Sequence, residues 1–215
     1  MSIKLLPLVT LAALSAAPAA LAQEVDPIAA TRLSAELFDL GQAQNDALLM
    51  IAAGKLRKQA EARVEVIDRA PERDGPAPRE NPMAPLTWES MLDAASDLNP
   101  DDAQMAGLID DIRAETTKGV RSGRVESYAS IRAGGTDTYR PLEFSVGVYA
   151  DVYVEGSGGA DINLYIRDAQ GRLVCSDTDI SAIAYCGWQP DTAQAYSVEV
   201  LNKGRVASAY KLMTN

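Results

Sequence analysis

The 215-residue chain has no histidine. Without an imidazole, Ser-His-Asp and Cys-His nucleophile activation, His-ligated zinc and histidine acid–base chemistry are excluded. Aromatic residues make up only 6%, with two tryptophans and two phenylalanines, so the eight tyrosines carry most of the ring content. Positive charge is short: 20 Lys and Arg face 30 Asp and Glu, net −10. That balance disfavours nucleic acid, whose affinity depends on cations neutralising phosphates, and equally an anionic membrane surface. Cysteine is confined to Cys175 and Cys186. No Gly-x-Ser-x-Gly motif occurs, and Gly156-Ser157-Gly158-Gly159 lacks the register and following helix of a phosphate or dinucleotide loop. Past the first 22 residues no apolar run is long enough to span a bilayer.

The N-terminus carries what is missing elsewhere. Lys4 supplies a positive start, Leu5 to Leu14 is apolar apart from Pro7 and Thr10, and Ala20-Leu21-Ala22 is a small-x-small site before Gln23. This is the pattern of a secretory signal cleaved after Ala22. Leu5 to Ala22 is uncharged and near spanning length, so an uncleaved anchor is the alternative; Pro18 and the Ala-x-Ala site favour cleavage. The expected location is periplasmic or secreted, with no stable membrane insertion after cleavage. In an oxidising compartment the even cysteine count reads as one disulfide, Cys175 to Cys186. A ring of that size contributes about 3 kcal/mol in the chain-entropy model.

The remainder divides into a helical region, 23–119, and a β region, 124–215. Asp26-Pro27 is an N-cap with proline at N1, followed by Leu33, Leu37 and Leu40 on one face and Gly41 as the stop. Asn45 is expected to cap a second helix bearing Leu49, Ala52, Ala53 and Leu56. Thr87 caps a third with Trp88, Met91, Leu92 and Ala95 on one side, and Asn99-Pro100-Asp101-Asp102 opens a fourth through Met105, Leu108, Ile109 and Ile112, ending at Lys118-Gly119. Residues 69–85 hold five of the eleven prolines and read as a solvated linker.

Period-two alternation marks the second half. Val146, Val148, Ala150, Val152 and Val154 are predicted to face one way, and Tyr149, Asp151, Tyr153 and Glu155 the other. Ile162, Leu164 and Ile166 alternate with Asp161, Asn163, Tyr165 and Arg167; Tyr196, Val198 and Val200 form a further inward row; Tyr210 and Leu212 end the chain in a last strand. The fold class is α+β with segregated halves: a helical segment, then an antiparallel jelly-roll-like β-sandwich.

Asp161-Ile162-Asn163-Leu164-Tyr165-Ile166 resembles the D-x-D-L-Y-V strand of bacterial pre-peptidase C-terminal domains. Asp168-x-x-Gly171, Cys175-Ser176-Asp177, Trp188-x-Pro190, Tyr196 to Val200, Asn202-x-Gly204 and Tyr210-x-Leu212 follow in similar order. The resemblance covers about 124–215 and implies a sandwich associated with secretion, substrate binding or maturation, not with bond cleavage. Two departures stand out: no peptidase domain precedes it here, and Asn163 replaces a frequent Asp.

Three kinds of site follow. Tyr149, Asp151, Tyr153, Asn163, Tyr165 and Arg167 would form an exposed tyrosine face suited to a sugar or a protein; cross-strand packing or cover by the helices is the structural alternative. Asp161, Asn163, Asp177 and Asp179 offer hard oxygens for calcium, although Ala182 and Trp188 break the EF-hand pattern that Asp177 opens. Leu33, Leu37, Leu40, Leu49 and Leu56 form a stripe for the helices' own core or for a partner. Ser208-x-x-Lys211 matches a nucleophile motif, but on a strand an offset of three separates the two side chains to opposite faces.

The reading is an exported, non-catalytic binding or accessory module for an envelope or extracellular protein or polysaccharide, with no resident cofactor unless calcium. The alternatives are a structural or secretion subunit docking to another envelope protein, and a carboxylate hydrolase, for which no acid pair is singled out.

Overall fold

A computed structural model of the chain describes residues 25–78, 82–116 and 122–215. The expected secretory signal, its expected cleavage point and Lys118-Gly119 lie outside the described residues.

Four helices precede the sandwich: α1 (Pro27–Gln44), α2 (Ala47–Glu61), α3 (Trp88–Leu98) and α4 (Ala103–Ala114). Asp26 caps α1 as expected, accepting from the N–H groups of Ile28 and Ala29. The stop is Asn45, not Gly41. Asn45 takes a left-handed backbone and closes α1, and Asp46 caps α2. Gly41 stays inside α1 because α2 comes so close that a Cβ there would sit 2.7 Å from Met50 Cγ. Thr87 and Ser90 form a capping box on α3. Asp102 rather than Asn99 caps α4, since it is the carboxylate that reaches the N–H groups of Gln104 and Met105.

The leucine stripe is rotated off the buried face. Leu33 and Leu40 are 46% and 45% exposed, while α1 buries Ile28, Thr31, Ser34, Ala35 and Phe38. Helix α2 likewise buries Ala53, Gly54, Arg57 and Ala60. Small side chains allow the helices to approach closely. A Cβ on Gly54, for example, would lie 2.9 Å from Leu92 Cδ2 of α3. Met50, Ile51, Met91, Leu92, Ile109 and Ile112 complete this helical core.

The β half is a two-sheet sandwich of eight long strands: β3 (Val125–Ile131), β4 (Thr136–Glu143), β5 (Ala150–Gly156), β6 (Ile162–Arg167), β7 (Leu173–Asp177), β8 (Ile183–Trp188), β9 (Ala195–Asn202) and β10 (Ser208–Thr214). One sheet runs β3-β10-β5-β8 and the other β4-β9-β6-β7, which is a jelly-roll order. Val152, Val154, Ile162, Leu164, Ile166, Val198, Val200, Tyr210 and Leu212 interdigitate between them. Val146 and Val148 do not join this row. They lie in the turn before β5 and are 50% and 54% exposed.

Both open sides of the sandwich are fastened. At one side Cys175 of β7 and Cys186 of β8 form the expected disulfide, Cα–Cα 5.9 Å, joining the two sheets. At the other side the segment after α2 supplies β1 (Glu65–Val66), parallel to β3, and then β2 (Glu72–Arg73), antiparallel to β4. Part of the proline-rich run is therefore strand. Arg73 pairs with Asp137, and Arg140 with Glu72, which gives an otherwise polar stretch specific partners on the sheet edge.

The helices lie on the outer face of the β3-β10-β5-β8 sheet. There Arg57 of α2 meets Glu155 of β5 through two parallel hydrogen bonds of 2.8 and 3.1 Å, with both side chains essentially out of solvent. Arg57 Nε also donates to Ser34 Oγ at 2.7 Å, and its other donors reach the carbonyls of Leu86 and Thr31. Lys211 of β10 lies between Glu155 and Glu61, at 3.6 and 3.4 Å. Breaking a buried pair from one side leaves an uncompensated charge. Arg57→Ala is therefore expected to cost about 3–5 kcal/mol. Arg57→Met combined with Glu155→Leu, which removes both charges, should cost less; urea denaturation of both variants decides this.

Candidate binding cleft between the helices and the sandwich

The expected tyrosine face does not exist as one surface. β5 and β6 belong to different sheets, so Asp151 and Tyr153 project from one side of the molecule and Asn163, Tyr165 and Arg167 from the other. Tyr153 is completely buried beneath α1, packed with Ile28 and Met213, and donates its hydroxyl to Glu155 at 3.1 Å. Cover by the helices, the structural alternative, is what holds for this residue. Asn163 is buried, Tyr165 is half-buried, and Arg167 pairs with Glu199 at 3.3 Å across to β9.

Tyr149 and Asp151 do stay together, joined by Tyr185, which the sequence did not single out. The Tyr185 hydroxyl donates to Asp151 at 2.5 Å, and the Arg32 guanidinium lies 4.5 Å over the Tyr185 ring. Tyr149 is 54% exposed, and the Tyr149 and Tyr185 hydroxyls crowd Gly187 so closely that any side chain there would collide.

The four calcium candidates are also separated. Asp177 stands opposite Leu164, whose side chain is in the core, so it shares the inward face while Asn163 points outward. Asp177 spends its oxygens on the N–H groups of Asp179 and Tyr185. Asp161 and Asn163 each keep a buried Oδ1 without a partner among the described residues. Among the described residues no three acidic or cysteine side chains are grouped to hold a metal. Ser208 and Lys211 divide as the strand period requires: Ser208 Oγ approaches Ser157, and Lys211 turns to the helices.

A cleft of about 580 Å³ lies where the helices meet the sandwich. Phe38, Asp39 and Gln42 of α1 form one wall, and Met83 to Thr87, with Ser90, form the second. Glu155 to Gly158 at the end of β5, with Ala182 and Ile183 at the start of β8, close it. Most of this surface is apolar, the usual character of a small-ligand site. Its polar groups are largely committed already. Thr87 and Ser90 bond each other, Ser157 contacts Ser208, and Glu155 is held by Arg57. Burial, and then the negative charge of Glu155, push the Asp39 carboxyl above its ordinary 3.8. The sequence offered weak signals here: Met83 is an apolar residue in a polar run, and Glu155 an acid in phase with Tyr153.

No family model matches the chain, and no curated protein matches it. Among solved structures it is similar to the pre-peptidase C-terminal domain of a collagenase from Bacillus anthracis, at 14% identity over 42% of this chain and 87% of that one, TM-score 0.35. It is also similar to a periplasmic inhibitor of g-type lysozyme from Aeromonas hydrophila, at 13% identity, 43% and 84% coverage and TM-score 0.32. A third is the C-terminal CBM6 of a laminarinase from Zobellia galactanivorans, at 8% identity, 40% and 76% coverage and TM-score 0.28. Likenesses of this extent concern the sandwich alone and say nothing of ligand or activity.

A carboxyl whose value is raised on folding holds its proton more tightly in the folded chain, so its contribution is present below the ordinary value and is lost as pH rises through the folded one. The melting temperature of the wild type, taken relative to Asp39→Asn, should therefore rise between about pH 7 and about pH 4. Circular dichroism melts of both proteins at the two pH values measure it.

Proposed function

We propose that the protein is an exported, non-catalytic binding module and that its ligand occupies the cleft between α1, the segment before α3 and the β5–β6 turn. The observation that carries this is the cleft's construction. Its walls come from separate stretches of chain held in place by the buried Arg57–Glu155 pair, so the cavity is formed before any ligand arrives. Export is supported by the signal-like N-terminus and by the disulfide. No helix among the described residues is long and apolar enough to cross a membrane. A non-catalytic role is supported by the lack of histidine and by the state of Glu155, which two cations hold in place with no free oxygen for proton transfer.

Gly158 provides the test. It lies on the β5–β6 turn, and a Cβ there would make only an ordinary 3.4 Å contact with Met83 Cε. Gly158→Leu should fill the cleft without disturbing the fold. In an NMR fragment screen, ligands that shift Phe38, Met83 and Ile183 in the wild type are expected to lose about ten-fold or more in affinity on this substitution. Ligands that bind both proteins equally would place the binding site elsewhere.

A second reading rests on the exposed Tyr149 beside Tyr185, Asp151 and Arg32. An exposed flat ring next to a tyrosine that already holds a carboxylate and a guanidinium suits a sugar ring. If this patch holds polysaccharide, Tyr149→Ala should reduce retention on immobilised glycans about five-fold or more while leaving the melting temperature unchanged, since the residue is outside the core. Unchanged retention removes this reading.

A further inference from the structure

The geometry points to a small organic cation with an apolar body, a primary alkyl- or arylalkylamine, as the class of ligand that the cleft takes. This rests on the cleft reading above and adds the charge and shape of the occupant.

The charges around the cleft leave an anion over. Arg57 and Lys211 are the cations of the buried cluster, and they are matched by Glu155 and Glu61. Asp39 is the carboxylate on the cleft wall itself, exposed at its mouth, with no hydrogen bond or ion pair to any described residue and close enough to Glu155 to feel its charge. Among the described residues no lysine or arginine lines the cleft. An ammonium group entering beside Asp39 would be attracted by that charge and would relieve its repulsion from Glu155. Gln42, three residues further along α1 and so on the same face, adds a side-chain carbonyl oxygen that can accept from the same group.

The positive end of α3 also faces this space and would by itself favour an anion. It is already occupied. The capping box consumes the N–H of Ser90, and Glu89 puts a carboxylate in the first turn. The remaining walls, chiefly Phe38, Met83, Pro85, Leu86 and Ile183, have no hydrogen-bonding side chains and require a hydrocarbon body. A hydrated divalent cation fits neither feature, because it would need several converging oxygens and the apolar walls offer none. A volume near 580 Å³ accommodates a ligand of small-molecule size rather than a folded partner.

The test uses three isosteres, 3-phenylpropylamine, 3-phenylpropan-1-ol and 3-phenylpropionate, titrated into the oxidised protein, with calorimetry for affinity and methyl NMR of Met83 and Ile183 for location. The amine is expected to bind about five-fold or more tighter than the alcohol, and the carboxylate weakest. Asp39→Asn should bring amine and alcohol to equal affinity without weakening the alcohol, and Gly158→Leu should weaken both. If amine and alcohol bind the wild type equally and both are lost in Gly158→Leu, the cation inference is overturned while the cleft remains a binding site. If no isostere shifts Met83 or Ile183, the inference fails; the fragment screen with Gly158→Leu then decides separately whether the cleft binds anything.

Discussion

The structure depends on a charge pair that has no access to water. Arg57 and Glu155 are 98 residues apart, one on a helix and one on a strand, and neither could be buried alone. Each guanidinium donor has a named acceptor: Glu155, Ser34, or the carbonyls of Thr31 and Leu86. Burial is the largest single influence and would lower the affinity of the guanidinium for its proton, but the charge and hydrogen bonds of Glu155, with the nearby Tyr153 and Glu61, together outweigh it, and the value is raised. Such a pair is a weak source of net stability but a strict one of register. Any other placement of α2 on the sheet would leave one of the two charges unpaired. The helical half and the sandwich are therefore parts of one packed unit, and α1 and α2 spend their inner faces on their own sheet.

That requirement explains the composition of the helices. A face that must admit an arginine and lie close against a sheet cannot also be lined with leucine. Ser34 and Thr31 serve the guanidinium, Ala35 and Ala53 are fully buried, and Gly41 and Gly54 allow contact at distances a Cβ would forbid. The leucines are displaced to the flanks, where Leu48 and Leu108 border a shallow groove between α2 and α4. The same logic acts on the sandwich rim. The two sheets are tied by a covalent bond at β7–β8, and the strand-forming segment with arginine–carboxylate pairs covers the β3 and β4 edges.

Much of the fold could be read from the residues. Alternation located the inward rows of β5, β6, β9 and β10 because each sheet has one face in a common core, and period two is then unambiguous. The helix starts at Asp26 and Thr87 were legible because capping chemistry is local. What failed was long-range. Nothing local tells which sheet a strand joins, so β5 and β6, adjacent in sequence, were given a shared outer face that the jelly-roll order divides between opposite sides. Nothing local marks Arg57 as a core residue or Glu65 to Arg73 as edge strands, since their partners lie far along the chain. The cleft was illegible for the same reason: Asp39, Met83, Gly158 and Ile183 meet only after the helices dock.

The cleft is a consequence of that docking. Arg57 of α2 draws α1 and β5 together, bonding Ser34 and Thr31 on one side and Glu155 on the other. β5 ends in Gly156-Ser157-Gly158-Gly159, a turn with little side-chain volume, and α1 continues past Phe38 to Asp39 and Gln42. The small residues at the end of β5 leave a gap beside α1, and the Met83–Leu86 stretch roofs it instead of filling it. Filling the gap would take only a larger residue at Gly158, which has room for one. A chain that buries an ion pair to fix this joint, yet keeps glycine where a side chain would close the opening, has the arrangement of a preformed binding site, with the Asp39 carboxylate at its mouth.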